Sequence, residues 1–322
     1  MASATDNMPA MPEPGGLLLP EAPCSALSRR TVHDGGERGW APSLDGRDAH
    51  SRSDWLAEEW PVAIVVNGIS HAVMMCSPVD LEDFALGFAL TEGLIARAAD
   101  CLDTEVEMSA QGAVVNLTVT AASEWRLKGR RRNLEGRTGC GLCGVDSLAQ
   151  VHREVPRVAD TAVSADAMQQ ALRALRHEQH LQQRSGATHA AALCEPDGRL
   201  LCVREDVGRH NALDKLVGAL VRARLDTSGC FVCITSRASF EMVHKTLAAG
   251  IGALVAVSAP TALAVDTATA GNLALAGFAR GDAFVAYTWP ERFGLMPVAA
   301  QAAPAGDIGG AAPAARGAAQ PL

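Results

Sequence analysis

No secretory leader is expected from the sequence. Within residues 1–52 nothing is more apolar than Leu17-Leu18-Leu19, which Gly and Pro flank. Little of it could span a membrane. The long charge-free stretch from Thr246 to Val265 is broken by Gly250, Gly252, Ser258 and Pro260, and only Ala253–Val257 is densely apolar. It reads as a helix end, a strand and the start of the next helix. Nine cysteines in 322 residues are too few for a disulfide scaffold, and their number is odd. With no export signal they are expected to be reduced and the chain cytoplasmic, which turns attention from staples to chemistry. Excess positive charge is missing too: a net charge of −8 argues against wholesale nucleic-acid binding. No internal repeat is present.

What remains is a soluble composition, 48% apolar and 20% charged, long enough for one large or two ordinary domains. Residues 1–52 and 297–322, rich in Gly, Pro, Ala and Ser without apolar periodicity, read as a disordered leader and tail. Residues 53–123 read as a small α/β unit. In it, strands Pro61–Asn67 and His71–Cys76 form a hairpin around Asn67-Gly68, a helix runs from about Val79 to Ile95, and two strands follow. Residues 124–146 form a basic bridge. Residues 147–296 alternate helices, near 165–182, 209–224, 240–249 and 262–270, with strands near 189–194, 200–204, 231–235, 253–257, 273–278 and 284–287. That order predicts a three-layer α/β domain on a mixed sheet.

The bridge carries the most unusual chemistry. In Thr138-Gly-Cys140-Gly-Leu-Cys143-Gly144 two thiols sit three residues apart between glycines, which suit an exposed reactive loop better than a core. Upstream, Arg126, Lys128, Arg130, Arg131, Arg132 and Arg137 face only Glu124 and Glu135. Cations stabilise the thiolate, the form that attacks sulfur, and they attract anions. A sulfur-carrying nucleophile fits this best. A structural zinc site needs about four ligands; the second C-x-x-C, Cys230 and Cys233, lies on a predicted strand, where residues three apart face opposite sides. A thioredoxin-like redox pair belongs at an early strand-to-helix junction, not in a mid-chain bridge. Cys24, Cys76, Cys101, Cys194 and Cys202 read as small hydrophobes or tail residues.

Elsewhere, Asp206 and Gly208 precede a helix at Arg209, so backbone N–H groups there could meet a phosphate, with Arg209, His210 and Lys215 adding charge. A capped surface helix with a solvated basic face is the plainer alternative. Ser236-Arg237 follows a predicted strand, where α/β sheets bind ligands. His189 starts another strand, in either a structural or a functional role.

Four blocks taken together resemble the FdhD family of formate dehydrogenase accessory proteins, over about Trp60 to Arg292. They are Arg137-Thr-Gly-Cys-Gly-Leu-Cys-Gly-Val145, Thr188-His-Ala-Ala-Ala-Leu193, Val203-Arg-Glu-Asp-Val-Gly-Arg-His-Asn-Ala-Leu-Asp-Lys215 and Ser236-Arg-Ala-Ser-Phe-Glu-Met242. The resemblance implies a sulfurtransferase that takes sulfane sulfur from a cysteine desulfurase and passes it to molybdenum held by two molybdopterin guanine dinucleotides, for a formate dehydrogenase catalytic subunit. It implies a persulfide on Cys140 with Cys143 as its partner, and a cofactor-binding segment at Phe278-Ala279-Arg280-Gly281-Asp282-Ala283. A homodimer and a core domain resembling the cytidine-deaminase fold are also implied. The zinc pattern of deaminases, H-x-E followed by P-C-x-x-C, is missing, because Ala190 and Ala191 follow His189; no structural metal is expected. A cofactor chaperone that moves no sulfur, and a zinc hydrolase of deaminase descent, are the competing functions.

Overall fold

The computed structural model describes residues 26–34, 50–132 and 155–296. Cys140 and Cys143 lie outside them, as do Cys24 and the tail from 297.

The first unit is a four-stranded sheet in the order β4-β3-β6-β5, built from β3 (Trp60–Val66), β4 (Ile69–Cys76), β5 (Cys101–Ser109) and β6 (Gly112–Val119). Both hairpins are antiparallel, and the two central strands, β3 and β6, run parallel. Asn67 and Gly68 take positive φ (47° and 75°), the geometry a tight hairpin needs and the reason this dipeptide marks the turn. Helix α1 (Leu81–Thr91) covers one face, packing Phe84, Ala85 and Phe88 on Val62, Ile64, Val115 and Leu117.

Two expectations fail here. Residues 27–34, read as disordered leader, form strand β1 (Leu27–Asp34), antiparallel to β2 (His50–Ala57). Composition misses this ribbon because backbone pairing and one small contact hold it. Ala26 and Leu27 are buried with Val79 and Leu181, and the Arg29 and Arg184 guanidinium groups lie 5.8 and 6.0 Å from the Trp55 ring centre. The start of the expected basic loop is helical: α2 spans Ala121–Arg132, a run of good helix formers broken only by Gly129.

The second unit is a six-stranded sheet in the order β12-β11-β10-β9-β7-β8. Its strands are β7 (His189–Cys194), β8 (Leu200–Asp206), β9 (Phe231–Ile234), β10 (Ala253–Ala256), β11 (Ala274–Arg280) and β12 (Ala283–Ala286). β9, β10 and β11 are parallel, whereas β7, β8 and β12 join antiparallel. One face is covered by α5 (Arg209–Arg222), α6 (Phe240–Ala248) and α7 (Ala262–Ala270), and the other by α3 (Ala165–Glu178). This is the mixed-sheet sandwich that the alternating pattern predicts. The expected single helix over 165–182 is instead two, because the chain turns at Gln179 (φ −83°, ψ 71°) before α4 (His180–Ser185). No helix among the described residues is long and apolar enough to cross a membrane. The charge-free stretch is the end of α6, strand β10 and the start of α7.

The two units share a core contact where α1 crosses α5. A Cβ on Gly87 would sit 1.8 Å from the Asp214 carbonyl oxygen, and one on Gly218 would sit 1.9 Å from that of Asp83. The helix backbones therefore touch, an approach only glycine allows. Buried ion pairs flank the crossing. Asp83 accepts from Arg204 at 2.8 Å and from Arg222 at 2.7 Å. The Lys245 ammonium lies 2.9 Å from Asp214, 2.7 Å from Glu92 and 2.9 Å from the Thr91 hydroxyl.

Candidate functional site

The block from Val203 to Lys215 folds mostly inward. Arg204 and Asp206 point from β8 toward the small unit, and Glu205 points the other way, as alternation along a strand requires. Asp206 is fully buried and accepts four bonds: Lys215 at 2.7 Å, Ser77 N at 2.9 Å, Gly208 N at 2.8 Å and the Asn211 amide at 3.0 Å. Lys215, read from sequence as a cofactor contact, is thus corrected. Its side chain is fully buried, and its ammonium is held by Asp206 and by the Ser77 carbonyl at 2.9 Å. A lysine needs such partners to stay charged in a core. Glu205 accepts from Leu181 N at 2.8 Å, Gln182 N at 2.9 Å and the Thr188 hydroxyl at 3.1 Å, so its carboxylate caps α4 from another element.

Beside this cap lies an open cleft of about 430 Å³, large enough for a heterocyclic ligand. It sits where ligands usually meet α/β sheets, at the C-terminal ends of parallel strands. Thr235 follows β9, Val257 follows β10 and Ala279 lies near the end of β11; Thr188 and His189 enter antiparallel β7 at the same end. Leu172, Leu175, Arg176, Gln179 and Gln182 close the other wall. Thr235 and Ala190 exchange two bonds, Thr235 N to the Ala190 carbonyl at 3.1 Å and Ala190 N to the Thr235 hydroxyl at 3.0 Å, which fixes the strand ends that form the floor.

Other residues expected from sequence gather round this cleft without all entering it. His189 lines it, half-buried; burial and then the nearby Arg209 charge lower its pKa, with Asp206 opposing. Ser236 and Arg237 follow the cleft residue Thr235. Ser236 is buried, donating to the Arg237 carbonyl at 3.1 Å, and the Arg237 side chain is exposed. Phe278–Ala283 forms the β11–β12 turn, in which Phe278 (φ 53°) and Gly281 (φ 54°) are left-handed and Ala279 alone is buried. The exposed Arg280 donates from Nε to the Val257 carbonyl at 3.1 Å, which ties the turn to the cleft wall. Asp282 is exposed. His210 faces Glu241 at 3.8 Å, with its pKa pushed down to about 4 by burial and the Arg209 charge. Sequence reasoning missed Arg176, Gln179 and Gln182, since nothing local marks a helix break at Gln179.

Four of the six described cysteines are poor nucleophiles. Burial raises the thiol pKa of Cys76 and Cys194, that of Cys202 to about 12 and that of Cys230 to about 11. Cys230 and Cys233 pack into cores on opposite faces of the large sheet, so they cannot share one ion. Cys101 is half-buried, its thiol set against the Asp103 carbonyl at 3.4 Å.

The described residues form a mixed α/β protein with a cleft at its parallel strand ends and exposed arginines beside it. The chain belongs to the FdhD/NarQ family, whose model matches residues 57–294. It is 55% identical over 250 residues to the sulfur carrier protein FdhD of Bordetella petrii, covering 77% of this chain and 90% of that one. Against the sulfur carrier protein FdhD of Cupriavidus necator it is 55% identical over 240 residues, covering 74% and 83%. A solved structure from Desulfotalea psychrophila, provisionally described as a formate dehydrogenase accessory protein, superimposes with a TM-score of 0.65 at 22% identity, over 83% of this chain and 99% of that one. That likeness is one of fold.

Proposed function

We propose that this protein is a cytoplasmic sulfurtransferase that takes persulfide sulfur from a cysteine desulfurase onto Cys140. It then delivers that sulfur to the molybdenum of a bis(molybdopterin guanine dinucleotide) cofactor destined for a formate dehydrogenase catalytic subunit, and it acts as a homodimer. Family membership supports the reading, and so does the state of the other thiols. Burial holds Cys76, Cys194, Cys202 and Cys230 protonated, which favours Cys140 and Cys143, beside their run of arginines, for thiolate chemistry. Loading is redox-neutral. The Cys140 thiolate attacks the terminal sulfur of the donor persulfide, the donor S–S bond breaks and the donor cysteine leaves as a thiolate. Release of the sulfur as sulfide takes two electrons. The Cys143 thiolate supplies them by attacking Cys140 Sγ, which closes a disulfide that a small thiol later reopens.

The cofactor is the substrate here, and the cleft suits one of its bases, with the arginines Arg176, Arg209, Arg237 and Arg280 toward its phosphates. The experiment is mass spectrometry after incubation with a desulfurase and cysteine. One added sulfur on Cys140, together with loss of formate dehydrogenase activity in a Cys140→Ala strain, supports the reading. Full dehydrogenase activity in that strain would leave a chaperone that moves no sulfur.

A further inference from the structure

The turn between α3 and α4 leaves an unusual side chain free. Gln179 is the last residue before α4, a position whose side chain ordinarily bonds the first free N–H groups of the helix. Here it makes no such bond. The Glu205 carboxylate has taken those donors, Leu181 N and Gln182 N, from the neighbouring strand. The C-terminal carbonyls of α3 are served from elsewhere too, by the Gln183 amide, which donates to Arg176 O at 2.8 Å and His177 O at 2.9 Å. Gln179 is only 7% exposed, its side-chain amide has no hydrogen-bond partner among the described residues, and it lines the cleft. The amide atoms open onto the cleft rather than into the core, so they are free to pair with a ligand there. Around it the wall is apolar, with Leu172, Leu175, Val257 and Ala279 suited to the faces of a flat ring.

We propose that Gln179 is a specificity-determining residue of this cleft, its amide pairing with the adjacent N–H and C=O of a flat lactam heterocycle. The assignment rests on the cleft taking a base of the cofactor, and it names the side chain that reads the edge of that base. An amide offers one acceptor and one paired donor, which matches a lactam edge in a single plane. A carboxylate at the same place offers only acceptors, and it pairs best with a ring that presents two adjacent donors, as a 2-amino lactam does.

Calorimetric titration of the full chain with GDP, IDP and ADP tests this. The parent is expected to bind GDP and IDP and to bind ADP less well. Gln179→Leu, similar in size, is expected to weaken GDP binding about ten- to a hundredfold while Cys140 still loads sulfur normally. Gln179→Glu is expected to raise the preference for GDP over IDP, because only GDP presents the second donor. A structural role for Gln179 would not move that ratio. GDP affinity within twofold of the parent for Gln179→Leu, or an unchanged GDP-to-IDP ratio for Gln179→Glu, would overturn the assignment alone. A parent that binds none of the three nucleotides would overturn the placement of the cofactor, and this assignment with it.

Discussion

Replacing Gly87 by alanine perturbs the joint between the two units more than one methyl group suggests. The new Cβ would start 1.8 Å from the Asp214 carbonyl oxygen, whereas ordinary contact begins near 3.4 Å, so α1 and α5 must part by roughly 1.5 Å locally. The flanking polar contacts have no slack for that. The 2.7 Å Thr91–Asp214 hydrogen bond and the 2.8 Å Arg204–Asp83 contact both cross the joint, and both are buried. Overpacking alone costs about 1–3 kcal/mol, and loosening a buried charge pair raises the loss toward about 3–5 kcal/mol. Urea unfolding followed by circular dichroism should show a lower midpoint at an unchanged slope. Gly218→Ala should lose a similar amount, since its Cβ would lie 1.9 Å from the Asp83 carbonyl oxygen across the same crossing. The double variant should lose less than the sum, because one separation relieves both clashes. A midpoint equal to the parent's, or strict additivity, would refute the picture of touching backbones.

Three further outcomes follow from the same geometry. Stability should fall on acidification from about pH 6.5 toward 4, since the unfolded chain protonates His210 near its ordinary value while the folded chain resists until about 4; His210→Gln should flatten that part of the profile in pH-dependent unfolding. Replacing Cys230 and Cys233 together by alanine should cost about 1–3 kcal/mol of stability and leave sulfur loading on Cys140 intact, and lost loading in a folded variant would count against their core role. Arg237→Ala and Arg280→Ala should each weaken GDP binding by about five- to fiftyfold in calorimetry without changing loading; equal affinity in both variants and the parent would put the phosphates on another face.

Regular elements were legible wherever period and punctuation agreed. Helix α7 begins and ends at the predicted residues, and the Asn67-Gly68 hairpin forms as its dipeptide requires. The departures have definite causes. No Gly or Pro marks Gln179, because the α3–α4 break is imposed by Glu205 from β8, a partner remote in sequence. Strand β1 carries Ser, Arg, Thr and His and is identified only by its pairing with β2.

The Val203–Lys215 block shows why a charge-rich motif misleads. Read along the chain, Arg204, Asp206, Arg209, His210 and Lys215 look like a phosphate cradle at a helix start. In space, alternation on β8 sends Arg204 to Asp83 and Asp206 to Lys215 and Ser77, on the side of the small unit. Glu205, between them, faces α4, whose Gln182 lines the cleft. One edge strand therefore fastens the small unit with two residues and shapes the cleft wall with the residue between them. Spacing alone cannot separate these roles, because burial decides them: a charge committed to a buried partner is unavailable to a ligand. What stays open to recognition is Gln179 on the wall, whose helix-capping task Glu205 has taken, and the exposed arginines beside it. Sequence pattern marks Arg237 and Arg280 but neither Gln179 nor Arg176.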